Sequence, residues 1–501
     1  MLHIQNLTIT HQNDLQELIK DLNLLLNTGE KLAVIGEEGT GKSSLIKAIV
    51  QPDMLASYAH LTGTITNKFH LIGYLPQELE KETLKWTVTD FLYREVDYGH
   101  FDFNLLYKYA GLFNLDLNRF ETHHQTLSSL SGGELLKVQL LKILAINPDL
   151  LILDEPSSDL DLETLQWLEG FICHSEKTIL FISHDESLLT RAATAILHLE
   201  LLKRRTVPRA TYFKGQYESY KQERKERFEH QLQIARKERE EYSKKMARHH
   251  RIHQSVEHAL RNTHDSTAGR LLAKKMKNIL SQEKRLTKEG ENLTEIPQDM
   301  DSIALFFSEI QTVPASKKIL FWENKVLSTG QTIDLQIRGQ DKLVITGKNG
   351  IGKTRLLKEI LKTLQARRDI SVGYMPQYYE EEFAENETSL SFLRPVADEE
   401  KARSLLASLK FTSQEIKHSV HDLSGGQKAK LFLARMVLAG NNVLVLDEPT
   451  RHFSPTSQPL IRQVLTDYPS AIISVSHDRF FTEEVVDIEY HLKENTLVRT
   501  K

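Results

Sequence analysis

The sequence has very little cysteine, because Cys173 is the single one among 501 residues. A lone thiol cannot form an internal disulfide, so the chain is expected to work in a reducing compartment, the cytoplasm. The sequence also lacks an apolar run of about 18 residues, which argues against a membrane-spanning helix. Its first residues lack a basic stretch followed by an apolar one, so no secretory signal is expected.

No charge sign dominates the chain as a whole. The formal net charge is −4, with 40% hydrophobic and 26% charged residues, which is close to the globular average. Taken alone, the weak negative charge argues against an RNA or DNA partner. The length exceeds that of one ordinary domain and predicts two or three.

An internal repeat organises the sequence. Five motifs occur twice in the same order: a glycine-rich string, Tyr-x-Pro-Gln, Leu-Ser-Gly-Gly, Asp-Glu-Pro and Ser-His-Asp. Lys42 and Lys353 are 311 positions apart, and Gln77 and Gln377 are 300 apart. The offset is 293 for each of the later pairs, which are Ser131 with Ser424, Asp154 with Asp447, and His184 with His477. The copies therefore span roughly 1–205 and 305–501.

Each copy has the pattern of an α/β unit. Lys31–Ile35 and Lys342–Thr346 are predicted strands that lead into the glycine-rich strings. The short apolar runs before Asp154 and Asp447 predict strands buried on both faces of a largely parallel sheet. Helices are predicted at Leu135–Ala145 and Lys428–Leu438.

We therefore predict an α/β fold of two nucleotide-binding domains with a helical segment between them. The predicted boundaries are 1–212 for the first repeat, 213–300 for the linker and 301–501 for the second repeat.

The glycine-rich strings have the form Gly-x4-Gly-Lys-Ser/Thr, which is typical of a phosphate-binding loop. Glycines let the backbone wrap around a phosphate, and Lys42 and Lys353 neutralise the β- and γ-phosphates. An ordinary glycine turn is the alternative, which the repetition between a strand and a helix disfavours. The predicted ATP contacts in the loops are Gly36, Glu37, Glu38, Gly39, Thr40, Gly41, Lys42, Ser43, Ser44, Gly347, Lys348, Asn349, Gly350, Ile351, Gly352, Lys353 and Thr354.

Acidic residues follow the buried strands in both copies. A carboxylate at the end of such a strand can reach a Mg²⁺ ion, and the next glutamate can polarise the attacking water. The predicted Mg²⁺ ligands are Ser43, Thr354, Gln77, Gln377, Asp154 and Asp447. The predicted catalytic residues are Glu155, Glu448, His184, His477, Gln77 and Gln377. A lone histidine is more often structural, and only the repetition favours a role for the two histidines.

The middle segment differs in charge and periodicity. Residues 221–288 contain 19 lysines and arginines against 9 acids, so the rest of the chain sums to about −14. Apolar residues recur at 3/4 spacing, which predicts two amphipathic helices in an antiparallel hairpin with its tip near 250–266. Asn262–Thr267 offers capping residues for the second helix. Helices of about 35 residues would reach roughly 50 Å.

The charge of this hairpin has two explanations. It can be a solvated spacer, or its one-sign excess can bind a phosphate-rich partner, mainly through backbone and shape. Residues 242–288 contain 12 basic and 3 acidic residues, which favours the partner. The candidate RNA contacts are Lys244, Lys245, Arg248, His249, His250, Arg251, Arg261, Arg270, Lys274, Lys275 and Lys277.

The order of motifs resembles a known family. Leu-Ser-Gly-Gly-Glu/Gln between a phosphate loop and Asp-Glu-Pro is the signature of ATP-binding cassette ATPases. Two cassettes, no transmembrane domain and a charged linker resemble the ABC-F family, and Phe213–Tyr220 looks like that family's entry into its linker. The resemblance implies a cytosolic ATPase of translation that uses ATP and Mg²⁺. It also implies binding at the ribosomal exit site, with the linker directed towards the P-site tRNA, the large-subunit rRNA and the peptidyl-transferase centre.

The family architecture implies a monomer in which the two cassettes pair and form two composite sites. Each site would combine the phosphate loop of one cassette with the signature of the other, whose N–H groups close the γ-phosphate. The first site would use Ser424, Gly425, Gly426 and Gln427, and the second Ser131, Gly132, Gly133 and Glu134.

Two positions depart from the family pattern. The aspartate of the loop after Asp-Glu-Pro is present as Asp161 but is replaced by Ser454 in the second copy. Because that loop borders the opposite cassette, the first site should be affected and the two sites should hydrolyse ATP unequally. The aromatic residue that stacks on adenine is not evident, with His11, Phe321 and Trp322 as weak candidates.

Several functions remain open. The stretch Gln77–Ser131 exceeds its counterpart by only 7 residues. With no extension after the second cassette and the linker run Asp265–Lys277, this resembles the antibiotic-resistance branch, which would protect ribosomes by displacing drugs or shifting tRNA through a tip at Met246–His264. The alternatives are a housekeeping translation factor, the ATPase subunit of a transporter and a DNA-associated ATPase, of which the last two fit the basic hairpin poorly.

Overall fold

The computed structural model describes all residues except 13–14, 95, 97–98, 159, 203–206, 263–265, 295–309, 329 and 495. The chain divides into two compact units. One consists of Met1–Tyr217 with Met300–Lys501, and the other is Glu218–Asp299. The predicted boundary at 300/301 lies outside the described residues, and the boundary at 212/213 stays a prediction.

The first repeat alternates strands and helices. Its strands are β1 Leu2–His11, β2 Glu17–Leu26, β3 Lys31–Ile35, β4 Ala59–Asn67, β5 Ile72–Leu75, β6 Leu150–Asp154, β7 Thr178–Ile182, β8 Ala195–Leu201 and β9 Val207–Lys214. Its helices are α1 Lys42–Val50, α2 Pro52–Leu55, α3 Val88–Tyr93, α4 Phe103–Leu112, α5 Leu117–His123, α6 Gly132–Ala145, α7 Leu162–His174 and α8 Glu186–Ala192.

The linker and the second repeat follow. The linker helices are α9 Tyr217–Arg261 and α10 Ser266–Glu291. The strands of the second repeat are β10 Lys318–Val326, β11 Thr332–Arg338, β12 Lys342–Thr346, β13 Val372–Met375, β14 Val443–Asp447, β15 Ala471–Val475, β16 Ile488–Leu492 and β17 Leu497–Arg499. Its helices are α11 Lys353–Gln365, α12 Ser389–Leu393, α13 Glu399–Ser408, α14 Ser413–Lys417, α15 Gly425–Leu438, α16 Gln458–Thr466 and α17 Arg479–Glu484.

The two repeats share one sheet topology. The first central sheet has the order β5-β6-β7-β3-β8-β9, and the second has β13-β14-β15-β12-β16-β17. All neighbours are parallel except the last pair of each sheet. Every residue of β6 and β14 is buried, because helices cover both faces of such a sheet. This confirms the α/β fold and the predicted strands at Lys31–Ile35 and Lys342–Thr346.

The signature helices begin earlier than predicted. They start at Gly132 and Gly425 rather than at residues 135 and 428, because each glycine pair forms the first turn of its helix. Ser131 and Ser424 are the N-caps, and each completes a capping box with the residue three positions later. The signature motif is therefore a capped helix N-terminus, whose N–H groups attract an anion.

The unit Glu218–Asp299 is an antiparallel helical hairpin, as predicted, but its helices are unequal. α9 has 45 residues and α10 has 26, which corresponds to about 67 Å and about 39 Å. The expectation of two helices of similar length was wrong, because polar residues within α9 continue the helix up to Arg261. Among the described residues, no helix combines the length and apolar character that a membrane crossing needs.

The apolar seam of the hairpin is confirmed at several positions. The predicted seam residues Ala235 and Ile279 are buried, and Tyr242 is half-buried. Val256, which was not among the predicted seam residues, is buried as well. His249 is also buried, with its Nε2 3.0 Å from the carbonyl oxygen of Ile279. The structure thus places His249 between the helices rather than on the surface. The predicted capping residues 263–265, including His264 of the tip, lie outside the described part of the chain.

Candidate active site

Both phosphate loops place a lysine beneath their own backbone. The Lys42 ammonium donates hydrogen bonds to the carbonyl oxygens of Gly36 at 2.7 Å and Glu37 at 3.0 Å. Lys353 donates in the same way to Gly347 at 2.8 Å and Lys348 at 3.0 Å. Burial lowers the pKa of both lysines against the raising effect of nearby carboxylates. The two loops are therefore equivalent anion-binding cradles at the start of α1 and α11.

Two positions of the first phosphate loop require glycine because of a positive φ and close neighbours. Gly36 has φ 153°, and a Cβ there would lie 2.3 Å from the carbonyl oxygen of Leu199. Gly41 has φ 90°, and a Cβ there would lie 3.2 Å from Leu18 and Ile19. Leu18 also lines the cleft above the loop. No sequence motif marks this residue, because it is a leucine within a strand.

The predicted Mg²⁺-binding aspartates are buried at the ends of their strands. Asp154 is 4% exposed and Asp447 1% exposed. Oδ1 of each has no hydrogen-bond partner among the described residues. Burial raises the pKa of Asp154 to about 6 and raises that of Asp447. Buried oxygens left without a donor fit a hard cation, so the residues present fit Mg²⁺.

The first predicted catalytic glutamate is held by three side chains. Glu155 lies in the left-handed region at φ 49°. Its carboxylate accepts hydrogen bonds from Gln77 Nε2 at 3.2 Å and Ser158 Oγ at 3.3 Å, and His184 Nε2 lies 3.4 Å away. Burial opposes ionisation, but the hydrogen bond and charge of His184 and the charge of Lys42 lower its pKa to about 2. The structure therefore joins the predicted Gln77, Glu155 and His184 in one cluster.

The second predicted catalytic glutamate has different surroundings. The Glu448 carboxylate accepts hydrogen bonds from the His477 N–H at 3.2 Å and Ser476 Oγ at 3.4 Å. The His477 ring nitrogen Nε2 lies 3.8 Å away. Burial and then the charge of Asp447 raise the pKa of Glu448 to about 8. The two predicted bases are thus geometrically related, but their surroundings shift the carboxyl pKa in opposite directions.

At the first composite site, the opposite signature touches the phosphate loop. The N–H of Gly425 donates to Glu38 Oε2 at 2.5 Å. A Cβ at Gly425 would lie 2.8 Å from His452 Nδ1 and 3.0 Å from Glu38 Oε1. His452 Nε2 in turn lies 3.2 Å from the carbonyl oxygen of Gln377. The predicted Ser424–Gln427 therefore faces the first loop, and Glu38 accepts an N–H that could otherwise bind a phosphate.

At the second composite site, the contact with the phosphate loop comes from the loop that follows Asp-Glu-Pro in the first repeat rather than from the signature. Oδ2 of Asp161 lies 3.5 Å from the N–H of Asn349, which donates to it. Lys348 lies 3.6 Å from Glu163. Gly132 of the first signature lines the same cleft as Asn349, and this cleft has a volume of about 1150 Å³. The cleft is also lined by both phosphate loops, by Glu155 and Glu448, and by His184 and His477.

Ser454 replaces, in the second repeat, the aspartate of the family pattern. Ser454 is buried, and its hydroxyl donates to Ser457 Oγ at 2.9 Å within its own loop.

Of the adenine-stacking candidates, His11 packs against Tyr58 with ring centroids 6.4 Å apart, Trp322 packs against the core, and Phe321 is 56% exposed. None of these three candidates lines the cleft.

The close packing of Gly425 yields a testable expectation. Replacing Gly425 by alanine should lower ATP hydrolysis about fivefold, because the methyl group separates the signature from Glu38 and the first loop. Steady-state phosphate release checks this, together with the melting temperature. Gly170→Ala is the control, since a Cβ there meets nothing within 4 Å and alanine favours the helix. Equal activity of the two variants would contradict the expectation.

Comparisons with known proteins agree with this geometry. Residues 19–158 and 330–451 match the family described as ABC transporter. ABC transporter F family member 5 of Arabidopsis thaliana is 27% identical over 97% of this chain and 76% of its own length. Ribosome protection protein VmlR of Bacillus subtilis is 28% identical over 96% of this chain and 85% of its own. The structure of an archaeal ribosome recycling factor, aABCE1, with stalk protein aP1 has a TM-score of 0.61 at 15% identity, covering 98% of this chain and 89% of that one. This last likeness concerns the fold alone.

Proposed function

Because the chain belongs to the ABC transporter family, as a tandem ATPase of the ABC-F type, we propose that it acts on the ribosome in an ATP-dependent way. ATP would bind in the cleft between the two repeats and complete their contact. Hydrolysis would remove that contact and let the repeats part. The expected place of action is the cytoplasm, with the exit site of the ribosome as the binding site.

The residues of the first site have separate roles in hydrolysis. The ionised Glu155 orients and deprotonates the attacking water, while His184 and Gln77 fix its carboxylate. Lys42 and the N–H groups of the loop and of Gly425 stabilise the charge on the phosphates. Mg²⁺, held by Ser43, Gln77 and Asp154 in the first site and by Thr354, Gln377 and Asp447 in the second, would supply Lewis-acid stabilisation of the phosphate oxygens.

The observation that carries the ribosome proposal is the charge on the hairpin surface. Exposed basic residues lie on both helices at and beyond the His249–Ile279 contact. We call the described residues of 248–280 the hairpin tip, a wider segment than the predicted turn at 250–266. The exposed basic side chains there are Arg248, Arg251, Arg261, Arg270, Lys274, Lys275 and Lys277. Lys244, Lys245 and Arg261 form ion pairs with Glu240, Glu289 and Glu257 within the hairpin. Such a surface supports binding to RNA phosphates.

Co-sedimentation with ribosomes tests the proposal. The chain should pellet with ribosomes in a non-hydrolysable ATP analogue and remain in the supernatant with ADP. Membrane vesicles and a DNA fragment of equal charge are the controls for the transporter and DNA alternatives. Preferential association with either of them would sink the ribosome proposal.

The hairpin tip should account for the salt dependence of that association. Replacing Arg248, Arg251, Lys274, Lys275 and Lys277 by glutamine should weaken ribosome binding several-fold and flatten its dependence on salt, because phosphate contacts release counterions. A matched variant removes five exposed charges outside the tip, at Lys225, Arg236, Lys237, Arg285 and Lys288. Binding at several salt concentrations is measured for both. Equal losses would show that net charge, not the tip, is responsible.

Within this function, we favour ribosome protection against antibiotics over a housekeeping role. The whole-chain similarity to a ribosome protection protein and the short stretch between Gln77 and Ser131 support it. The segment Met246–His264 would displace a drug near the peptidyl-transferase centre or shift the P-site tRNA. Expression in a sensitive host should raise the inhibitory concentration of at least one drug that binds there, and the Glu155→Gln/Glu448→Gln variant is the control. No change for macrolides, lincosamides, streptogramins, pleuromutilins and phenicols would leave the housekeeping role.

A further inference from the structure

Three equivalent positions of the two repeats carry opposite charges. The 293-residue offset relates Glu169 to Arg462, Glu186 to Arg479, and Arg191 to Glu484. The first repeat has acid, acid and base at these positions, and the second has base, base and acid. We call these six residues the inverted cluster.

The inverted cluster lies where the two repeats meet. Between the repeats, Arg462 Nη2 donates to Glu186 Oε2 at 2.8 Å, and Arg479 Nη1 donates to Glu169 Oε2 at 3.2 Å. These two contacts are equivalent under the offset, so each repeat supplies one member of each pair. Glu169 is 3% exposed, and Glu186 and Arg462 are each 2% exposed.

The third position of the cluster, Arg191 or Glu484, pairs with another cluster residue of its own repeat. Arg191 Nη1 donates to Glu169 Oε2 at 3.1 Å within the first repeat. Arg462 Nε donates to Glu484 Oε2 at 2.7 Å within the second, and Asp478 Oδ2 lies 3.9 Å from Arg462 Nη1. Each central residue, Glu169 or Arg462, therefore has one partner in its own repeat and one in the other.

If two first repeats, or two second repeats, from different molecules paired, like charges would face each other instead of opposite ones. In a symmetric interface, residue i of one partner meets residue j of the other twice. Two first repeats would then bring Glu169 against Glu186 in both contacts, and two second repeats would bring Arg462 against Arg479. Like charges at such buried positions strongly oppose association.

We propose that the inverted cluster selects the partner of each repeat: the first repeat pairs with a second repeat and rejects another first repeat. The hairpin gives the repeats of one chain a high effective concentration. The tether alone does not prevent two like repeats of neighbouring molecules from pairing. The cluster does, because its like charges repel in such a pair at any protein concentration. This selection does not depend on ribosome binding.

An exchange of two residues between the repeats tests the selection. The variant Glu186→Arg/Arg479→Glu keeps the net charge and leaves both internal pairs intact. Within one chain it sets the new arginine against Arg462 and the new glutamate against Glu169, while like repeats of two chains become complementary. Arginine begins α17 naturally, so arginine at the equivalent start of α8 is compatible with that helix.

The matched control inverts all six residues of the cluster. It also keeps the net charge, and it restores the four ion pairs within the cluster with the signs reversed. Both sets are made in the full chain with Glu155→Gln and Glu448→Gln, so that ATP is retained, and are measured by analytical ultracentrifugation with and without ATP. The same sets with native Glu155 and Glu448 are used for ATP hydrolysis at dilute protein.

The expected result is opposite for the two variants. The two-residue exchange should form dimers or larger assemblies in ATP, and its hydrolysis at dilute protein should fall at least tenfold. The six-residue inversion should remain monomeric, with hydrolysis within about twofold of the native chain. A two-residue variant that stays monomeric in ATP at every concentration would overturn the proposal, as would assembly of the six-residue variant.

A milder set covers the event that an exchanged variant fails to fold. Glu186→Gln, Arg462→Gln and their combination form a double-mutant cycle on one pair between the repeats. If the pair operates as proposed, each single change lowers hydrolysis and the combination is no worse than the more damaging single change. Additive losses, or no loss in either single variant, would contradict it.

Discussion

Replacing Glu155 and Glu448 together by glutamine is expected to lower steady-state ATP hydrolysis by about 10²- to 10⁴-fold, the usual contribution of a general base. Glutamine has the size of glutamate, and its amide oxygen can still accept the hydrogen bonds of Gln77 or the His477 N–H. An amide cannot take the proton of the attacking water. The cleft should therefore keep its shape and its affinity for ATP while losing the chemical step.

The same substitution should hold the repeats together in ATP. Because hydrolysis is the step that separates them, the ATP-bound form should accumulate, and ribosomes should retain it. Phosphate release, retained nucleotide and co-sedimentation are measured on one preparation. The variant Glu176→Gln/Glu494→Gln, which changes one exposed glutamate in each repeat, is the control. A loss of hydrolysis below tenfold would show that these carboxylates are not the bases.

Much of this site could be predicted because the sequence contains it twice. Each predicted strand leads into a phosphate loop, and parallel strands bring their carboxyl ends to one edge, so Lys42, Asp154 and Glu155 had to converge. The contact between the N–H of Gly425 and the first loop followed from the family resemblance rather than from the spacing of residues.

Other features depend on packing that no motif encodes. Leu18 reaches the first phosphate loop because β2 passes beside Gly41, and a strand leucine gives no signal of that. His249 looked like part of a basic run, but its place at the helical period puts it in the seam. The unequal hairpin helices depend on where the chain turns, which the weak apolar period does not fix.

The inverted cluster is visible in the sequence only when the repeats are compared for opposite charges instead of identical residues. Matching the repeats by identical motifs ends with the Ser-His-Asp strings around His184 and His477, whereas the cluster consists of positions where the residues have opposite charges. Glu186 and Arg479 come two residues after those histidines. Only the contacts between the repeats give the opposite signs a meaning.

The single variants are expected to differ: Glu155→Gln should lower single-turnover hydrolysis about tenfold more than Glu448→Gln. With Glu448 replaced, hydrolysis depends on Glu155, whose pKa of about 2 keeps it ionised. With Glu155 replaced, it depends on Glu448, whose pKa of about 8 leaves roughly one molecule in ten ionised at pH 7. Asp161 reaches the phosphate loop of the second site, whereas the Ser454 hydroxyl bonds within its own loop. The expectation that Ser454 weakens the first site stays a prediction, and it acts against the difference predicted from the two glutamates.

The pH dependence of the single-turnover rates distinguishes a difference in glutamate pKa from any other difference between the two sites. A base acts in its ionised form, so its contribution rises as the pH passes upward through its pKa. The rate of Glu155→Gln should therefore increase between pH 7 and pH 9 and level off, while the rate of Glu448→Gln should stay flat over that range. Single-turnover measurements at fixed Mg²⁺ and ATP, with the double variant as the background, provide both curves. Equal rates at pH 7, or parallel curves, would show that the two glutamates work alike despite their different surroundings.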